Sequence, residues 1–174
     1  MNDNEEMNGH YKSIPAFENI SFESAKKIWE EDISDFIKTI SPEIPFNNVE
    51  WEKRKMCINV YQTDENGFKK RGGSGYGYFA EVVLQKENVE KIWSLFEQFS
   101  NNYDLKIERW RNNEKDLDRY HFEARNDKTN DSISCNINLP NEWNNPYVSI
   151  SVFVGGRYRQ IDLDSIKNSK ESDK

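Results

Sequence analysis

The chain has 174 residues, a formal net charge of -7 and 32% charged residues. That length fits one domain with a real core and is short for two ordinary ones. The acidic balance argues against a general nucleic-acid binder, which needs a basic surface to displace counterions, and no apolar run is long enough to span a membrane.

Residues 1–20 read as a flexible arm. They are polar, Gly9 and Pro15 interrupt them, and they lack the basic and apolar regions of a signal peptide. The chain as it stands therefore reads as cytoplasmic. If a signal or anchor has been trimmed away, it reads as extracytoplasmic. Residues 21–163 read as a single domain, and 164–174 as a flexible polar tail.

Ser21 has the chemistry of a helix N-cap. From Phe22, the residues Ala25, Ile28, Trp29, Ile33, Phe36, Ile37 and Ile40 recur at helical spacing. Ser41-Pro42 ends the helix, because a residue before proline is pushed out of the helical region. The connector "SPEIPFNN" follows. Next, "KRKMCINVYQ" alternates as a strand, with Met56, Ile58 and Val60 expected on the core face. Asn66-Gly67 supplies a hairpin tip that tolerates positive φ. The return strand is expected from about Gly75 to Leu84.

A second helix is expected from about Glu87 to Asn101, with an apolar stripe of Val89, Ile92, Trp93, Phe96 and Phe99. The segments "LKIERW", "RYHFEAR", "SISCNINL" and "YVSISVFV" then alternate with period two between polar turns. "GGRYRQIDL" reads as a short closing segment. The fold class is α+β: one antiparallel, meander-like sheet of about six strands, with two amphipathic helices on one face.

The motif that most invites a chemical reading is "RGGSGYGYFAEVVL", with four glycines between Gly72 and Gly77. A phosphate-binding loop would need a lysine and a hydroxyl residue where Tyr78 and Phe79 stand. It would also lead into a helix N-terminus, whereas these glycines lead into a strand. A flexible hairpin shoulder or a β-bulge is the favoured reading. Cys57 and Cys135 have no zinc spacing and read as reduced structural thiols, with Cys135 pointing inward. His121 beside Glu123 has acid–base chemistry available, but no nucleophile motif accompanies it. No catalytic residue, metal ligand or cofactor is assigned.

The sheet face away from the helices is the candidate site. It should present Tyr61, Glu108, Trp110, His121, Glu123, Arg125 and Phe153, a mixture of exposed aromatics and charges that suits a protein-binding surface.

The layout carries a resemblance. A leading helix, a strand pair around "EWEKRKMCINVYQ" and "GYGYFAEVVL", the helix "ENVEKIWSLFEQFSNNYDL" and antiparallel strands ending in "VSISVFVGG" resemble the small acidic α+β immunity proteins. Gram-positive bacteria carry these against secreted antibacterial toxins. The resemblance covers about Phe22 to Gly156 and implies a non-catalytic inhibitor that occludes one cognate toxin. Several of those proteins are anchored outside the cell, and this sequence has no lipobox cysteine. The alternative readings are a small-molecule binder or enzyme with a pocket between helices and sheet, and a self-assembling accessory subunit. The oligomeric state is left open.

Overall fold

A computed structural model of the chain describes residues 19–42, 50–55, 59–103, 105–110 and 118–172. The elements run α1 (Phe22–Ile40), β1 (Glu52–Lys55), β2 (Asn59–Thr63), β3 (Lys69–Ala80), α2 (Lys86–Asn101), β4 (Lys106–Trp110), β5 (Arg119–Arg125), β6 (Ser132–Asn138), β7 (Tyr147–Tyr158) and α3 (Gln160–Ser172). The class is α+β with an antiparallel sheet, as the alternation of the strands implies. Among the described residues there are seven strands rather than about six, and three helices rather than two. α3 occupies the place of the expected closing segment and polar tail.

The sheet is not a simple meander. β4, β5, β6 and β7 do follow one another as neighbours, but β3 pairs with β7. The N-terminal hairpin is thereby added to the far side of the last long strand, and α2 carries the chain across to β4. β7 sits centrally, with β3 on one side and β6 on the other. β1 and β2 both pair with β3 and together form one edge.

α1 begins where Ser21 caps it: the Ser21 hydroxyl oxygen accepts from the Ser24 backbone N–H at 3.1 Å. Its buried stripe of Phe22, Ala25, Trp29, Ile33, Phe36, Ile37 and Ile40 lies over β3 and β7. In α2, Trp93 and Phe96 pack on Phe122 of β5, with ring centroids 4.9 and 5.9 Å apart. The inward residues of β5, β6 and β7 complete the core: Tyr120, Phe122, Ala124, Ile133, Cys135, Ile137, Val148, Ile150, Val152 and Val154 are all buried. Cys135 points inward as expected, and burial pushes its thiol well above the ordinary range, so it remains an unreactive thiol. Cys57 lies outside the described residues.

A polar network closes the helix-covered side. Asp131, at the end of the β5–β6 turn, forks the Arg157 guanidinium at 2.7 and 2.6 Å. It also accepts from the Trp29 indole at 3.0 Å and from the Gly155 backbone N–H at 2.7 Å. Both charged side chains are almost fully buried. Every oxygen of the carboxylate is thus satisfied, which is what a buried ion pair requires. The turn comes so close to β7 that a Cβ at Gly155 would stand 1.7 Å from the Thr129 carbonyl oxygen.

Two strand expectations change. The outermost strand has no core face: β2 is exposed throughout and Val60 is 53% exposed. The reason is reach, because α1 covers β3 and β7 and stops short of the edge. Met56 and Ile58, the other residues of that expected face, lie outside the described residues. The return strand begins earlier than expected, at Lys69, and runs through the glycines to Ala80. Register shifts between Arg71 and Gly73, and between Ser74 and Gly77, mark bulges there.

The hairpin tip is firmly held. Gly67 has φ 83°, and the Asp64 carboxylate accepts from the backbone N–H groups of Asn66 and Phe68, both at 2.9 Å. The Tyr158 hydroxyl donates to the same carboxylate at 2.8 Å and helps to hold it below the usual carboxylate range. The basic run after the tip is used in packing. Lys70 sits over the Tyr158 ring, and Arg71 lies over the rings of both Phe22 and Tyr61.

Candidate binding face

The alternation that buries Tyr120, Phe122 and Ala124 under the helices turns Arg119, His121, Glu123 and Arg125 to the opposite face. Register extends that face in rows. Trp110 stands beside His121, then Asn136, Ser149, Phe79 and Glu52. In the next row Glu108 stands beside Glu123, then Ser134, Ser151, Gly77 and Arg54. A third row holds Lys106, Arg125, Ser132 and Phe153.

The structure therefore brings Glu108, Trp110, His121, Glu123, Arg125 and Phe153 onto one face. Tyr61 does not join them. It lies on the helix side at the far edge, opposite Arg71, whose guanidinium also covers Phe22 of α1. The assumed strand phase put Val60 inward. The actual phase turns Tyr61 to the helix side and leaves its ring 61% exposed.

Three features shape this face. Its centre is low and polar, made of Ser132, Ser134, Asn136, Ser149 and Ser151, all half-buried. On the β4 side, the Trp110 and His121 rings are 4.3 Å apart, and His121 Nδ1 is 2.5 Å from the Asn136 side-chain oxygen. On the β3 side, Phe79 stacks on Tyr147 at 5.3 Å, and the Arg54 guanidinium lies 4.5 Å over the Phe79 ring. Arg54 also pairs with Glu52 at 2.8 Å, which lowers the Glu52 carboxyl below its ordinary range. Aromatic groups thus stand at both sides of a band of small hydroxyl and amide side chains.

Sequence reasoning missed the β3 side and one further residue. Trp143, in the β6–β7 loop, is 85% exposed. Its surroundings are ordered by hydrogen bonds. The Asn141 side-chain oxygen accepts from the backbone N–H groups of Trp143 and Asn144 at 2.8 and 2.7 Å. The Asn141 amide donates to Asp118, and Arg119 donates to the Asn144 side chain at 2.6 Å. An asparagine two residues before a lone tryptophan in "PNEWNNP" was the available signal, because Asn side chains build such turns themselves.

Among the described residues, no group of three or more His, Cys, Asp or Glu side chains could hold a metal ion. No described helix is long and apolar enough to cross a membrane. Comparison with known proteins finds no family model, no curated protein and no solved structure that matches this chain.

Proposed function

We propose that this chain is a non-catalytic protein-binding module that uses its open sheet face to occlude a partner, in the manner of an immunity-type inhibitor of a bacterial toxin. One observation carries the reading. An entire face of the sheet has no covering layer among the described residues, yet it presents Trp110, Phe79, Tyr147 and Phe153 around small polar side chains. Such a face offers aromatic anchors on either side of a polar band, and aromatic side chains are enriched at protein–protein interfaces. Trp143, in the β6–β7 loop, offers a further exposed ring on a backbone turn held by Asn141. The net charge of -7 speeds encounter with a basic partner.

The test is co-expression with the product of the adjacent gene in a sensitive bacterial host. Protection of growth is expected, together with a complex that survives size-exclusion chromatography. The double substitution Trp110→Ala and Phe153→Ala should abolish protection while the melting temperature stays near that of the parent. No protection and no complex would overturn the reading. Protection unaffected by the double substitution would move the site elsewhere.

A further inference from the structure

We infer that Glu108, Glu123 and Trp110 form a seat for one cationic side chain of the partner, an arginine guanidinium. The inference rests on the binding reading above and adds the chemistry of the contact.

The first ground is charge. Glu108 and Glu123 face each other directly across the β4–β5 ladder. Like charges in that position destabilise a sheet unless something neutralises them. They line a surface depression of about 280 Å³ together with Lys106, Arg125 and Asp127. Three carboxylates thus meet two cations. Arg125 pairs with Glu123 at 3.0 Å, and Lys106 pairs with Asp127. The Glu108 carboxylate is left without a counter-ion among the described residues. The depression is short by one positive charge.

The second ground is the neighbouring ring, which stands in the next row of the sheet and not in the lining of the depression. Trp110 is two residues beyond Glu108 on the same strand face. One side of its ring packs near His121, and the ring remains 37% exposed. An exposed indole beside an unpaired carboxylate suits a planar cation, which can stack on the ring while forking the oxygens.

The third ground is a precedent on the other face of the same strand. Arg109 lies over the rings of Trp93, Tyr120 and Phe122, at 5.5, 5.7 and 5.4 Å. It also forks Glu90 of α2 at 2.8 and 2.5 Å. There the protein supplies both the receptor and the arginine. On the open face it supplies the aromatic ring and the carboxylates, and the guanidinium is missing. A lysine ammonium would neutralise the charge and can sit over a ring, as Lys70 does over Tyr158, but it has no planar fork for the carboxylate oxygens, so arginine is the better occupant.

The test uses the full chain labelled with ¹⁵N and titrated with the peptide acetyl-Gly-Arg-Gly-amide. The control is the same peptide with neutral citrulline in place of arginine. Saturable shifts are expected at the Trp110 indole N–H and at the Glu108 and Glu123 amides, with the arginine peptide only. Glu108→Gln should weaken this binding about tenfold, the worth of one charge-assisted contact. The double substitution Glu30→Gln and Glu31→Gln on α1, which removes more charge at a distance, should leave it unchanged. Equal shifts with citrulline would overturn the seat, as would shifts centred on α1 or indifference to Glu108→Gln. The two readings fail separately. If the peptide seats here but co-expression gives no protection, the functional reading falls and the seat stands. If protection depends on Trp110 and Phe153 but the peptide does not seat, the seat alone falls.

Discussion

The two faces of this sheet are built from the same strands under opposite rules. On the helix-covered face two buried or part-buried arginines are answered by carboxylates. Asp131 and Arg157 satisfy each other and also tie in Trp29 and Gly155. Arg109 closes the edge of the core over three aromatic rings and is itself held by Glu90. On the open face Glu108 confronts Glu123 across the ladder and no described cation answers it. In the β6–β7 loop Trp143 stands out in solvent on a turn held by Asn141. Local conflicts of this kind weaken a fold and are retained where function needs them. The covered face therefore teaches what holds the domain together, and the open face carries a conflict that the proposed binding role would account for.

Substitutions on the covered face should break this contrast most strongly. Arg157→Met removes one partner of a buried ion pair and strands the Asp131 carboxylate. The cost should be about 3–5 kcal/mol, read from urea unfolding at neutral pH. A loss below about 1 kcal/mol would mean that water reaches Asp131 and that this side is less closed than described. Gly155→Ala comes next. Its Cβ would collide with the Thr129 carbonyl oxygen, so the β5–β6 turn must move away from β7. Overpacking of this kind costs about 1–3 kcal/mol. The shift of the turn should also loosen Asp131, which amide exchange at Asn130 and Asp131 would report.

A smaller effect belongs to the rim. Arg109, hydrogen-bonded to Glu90, holds the Glu90 carboxyl below its ordinary value of 4.5. A carboxyl depressed on folding stabilises the fold above its unfolded pKa, and that stabilisation is lost as pH falls through the folded value. Glu90→Gln should therefore destabilise the protein at neutral pH. The difference should fade below pH 4.5, as the parent carboxyl itself becomes neutral. Since the Glu90 side chain is 62% exposed, the neutral-pH loss should stay within about 1 kcal/mol. Stability curves measured in parallel across acid pH would check both the sign and the fading.

The same contrast explains what the sequence could and could not disclose. The covered face was legible because burial leaves a periodic mark. The α1 stripe from Phe22 to Ile40 and the strict alternation of β5, β6 and β7 each required one face to be apolar. The open face of β4 and β5 was legible as its complement, which is why Glu108, Trp110, His121, Glu123 and Arg125 could be placed together. The edge strand was not legible. Val60 and Tyr61 alternate like buried neighbours, but no helix reaches them, and periodicity carries no information about where a covering layer ends. The pairing of β3 with β7 was hidden for a similar reason. Short turns identify sequential neighbours, whereas a contact between Gly73 and Val154 is set by how α2 crosses the sheet. The C-terminal helix was missed because its only buried residue is Asp162, so it has no apolar stripe to read. It is tied to the domain by polar contacts at its start: the Glu23 carboxylate accepts from the Gln160 N–H at 2.9 Å, and the Lys69 carbonyl accepts from the Arg159 N–H at 3.3 Å.

The smallest expected effect is the most informative about the open face, because its sign runs against the usual direction. Most substitutions destabilise. Glu108→Gln removes one member of a like-charge pair and disturbs no counter-ion among the described residues, so it should stabilise the domain by a few tenths of a kcal/mol. Raising the salt concentration should shrink this gain, since screening weakens the repulsion in the parent. Thermal unfolding of the two proteins at low and high salt would measure it. If Glu108→Gln were destabilising, Glu108 would hold a partner within its own chain, and the open face would be as internally satisfied as the covered one. A gain in stability accompanied by weaker binding of the arginine peptide would show one carboxylate kept against the interest of the fold, in the place where an incoming cation would relieve it.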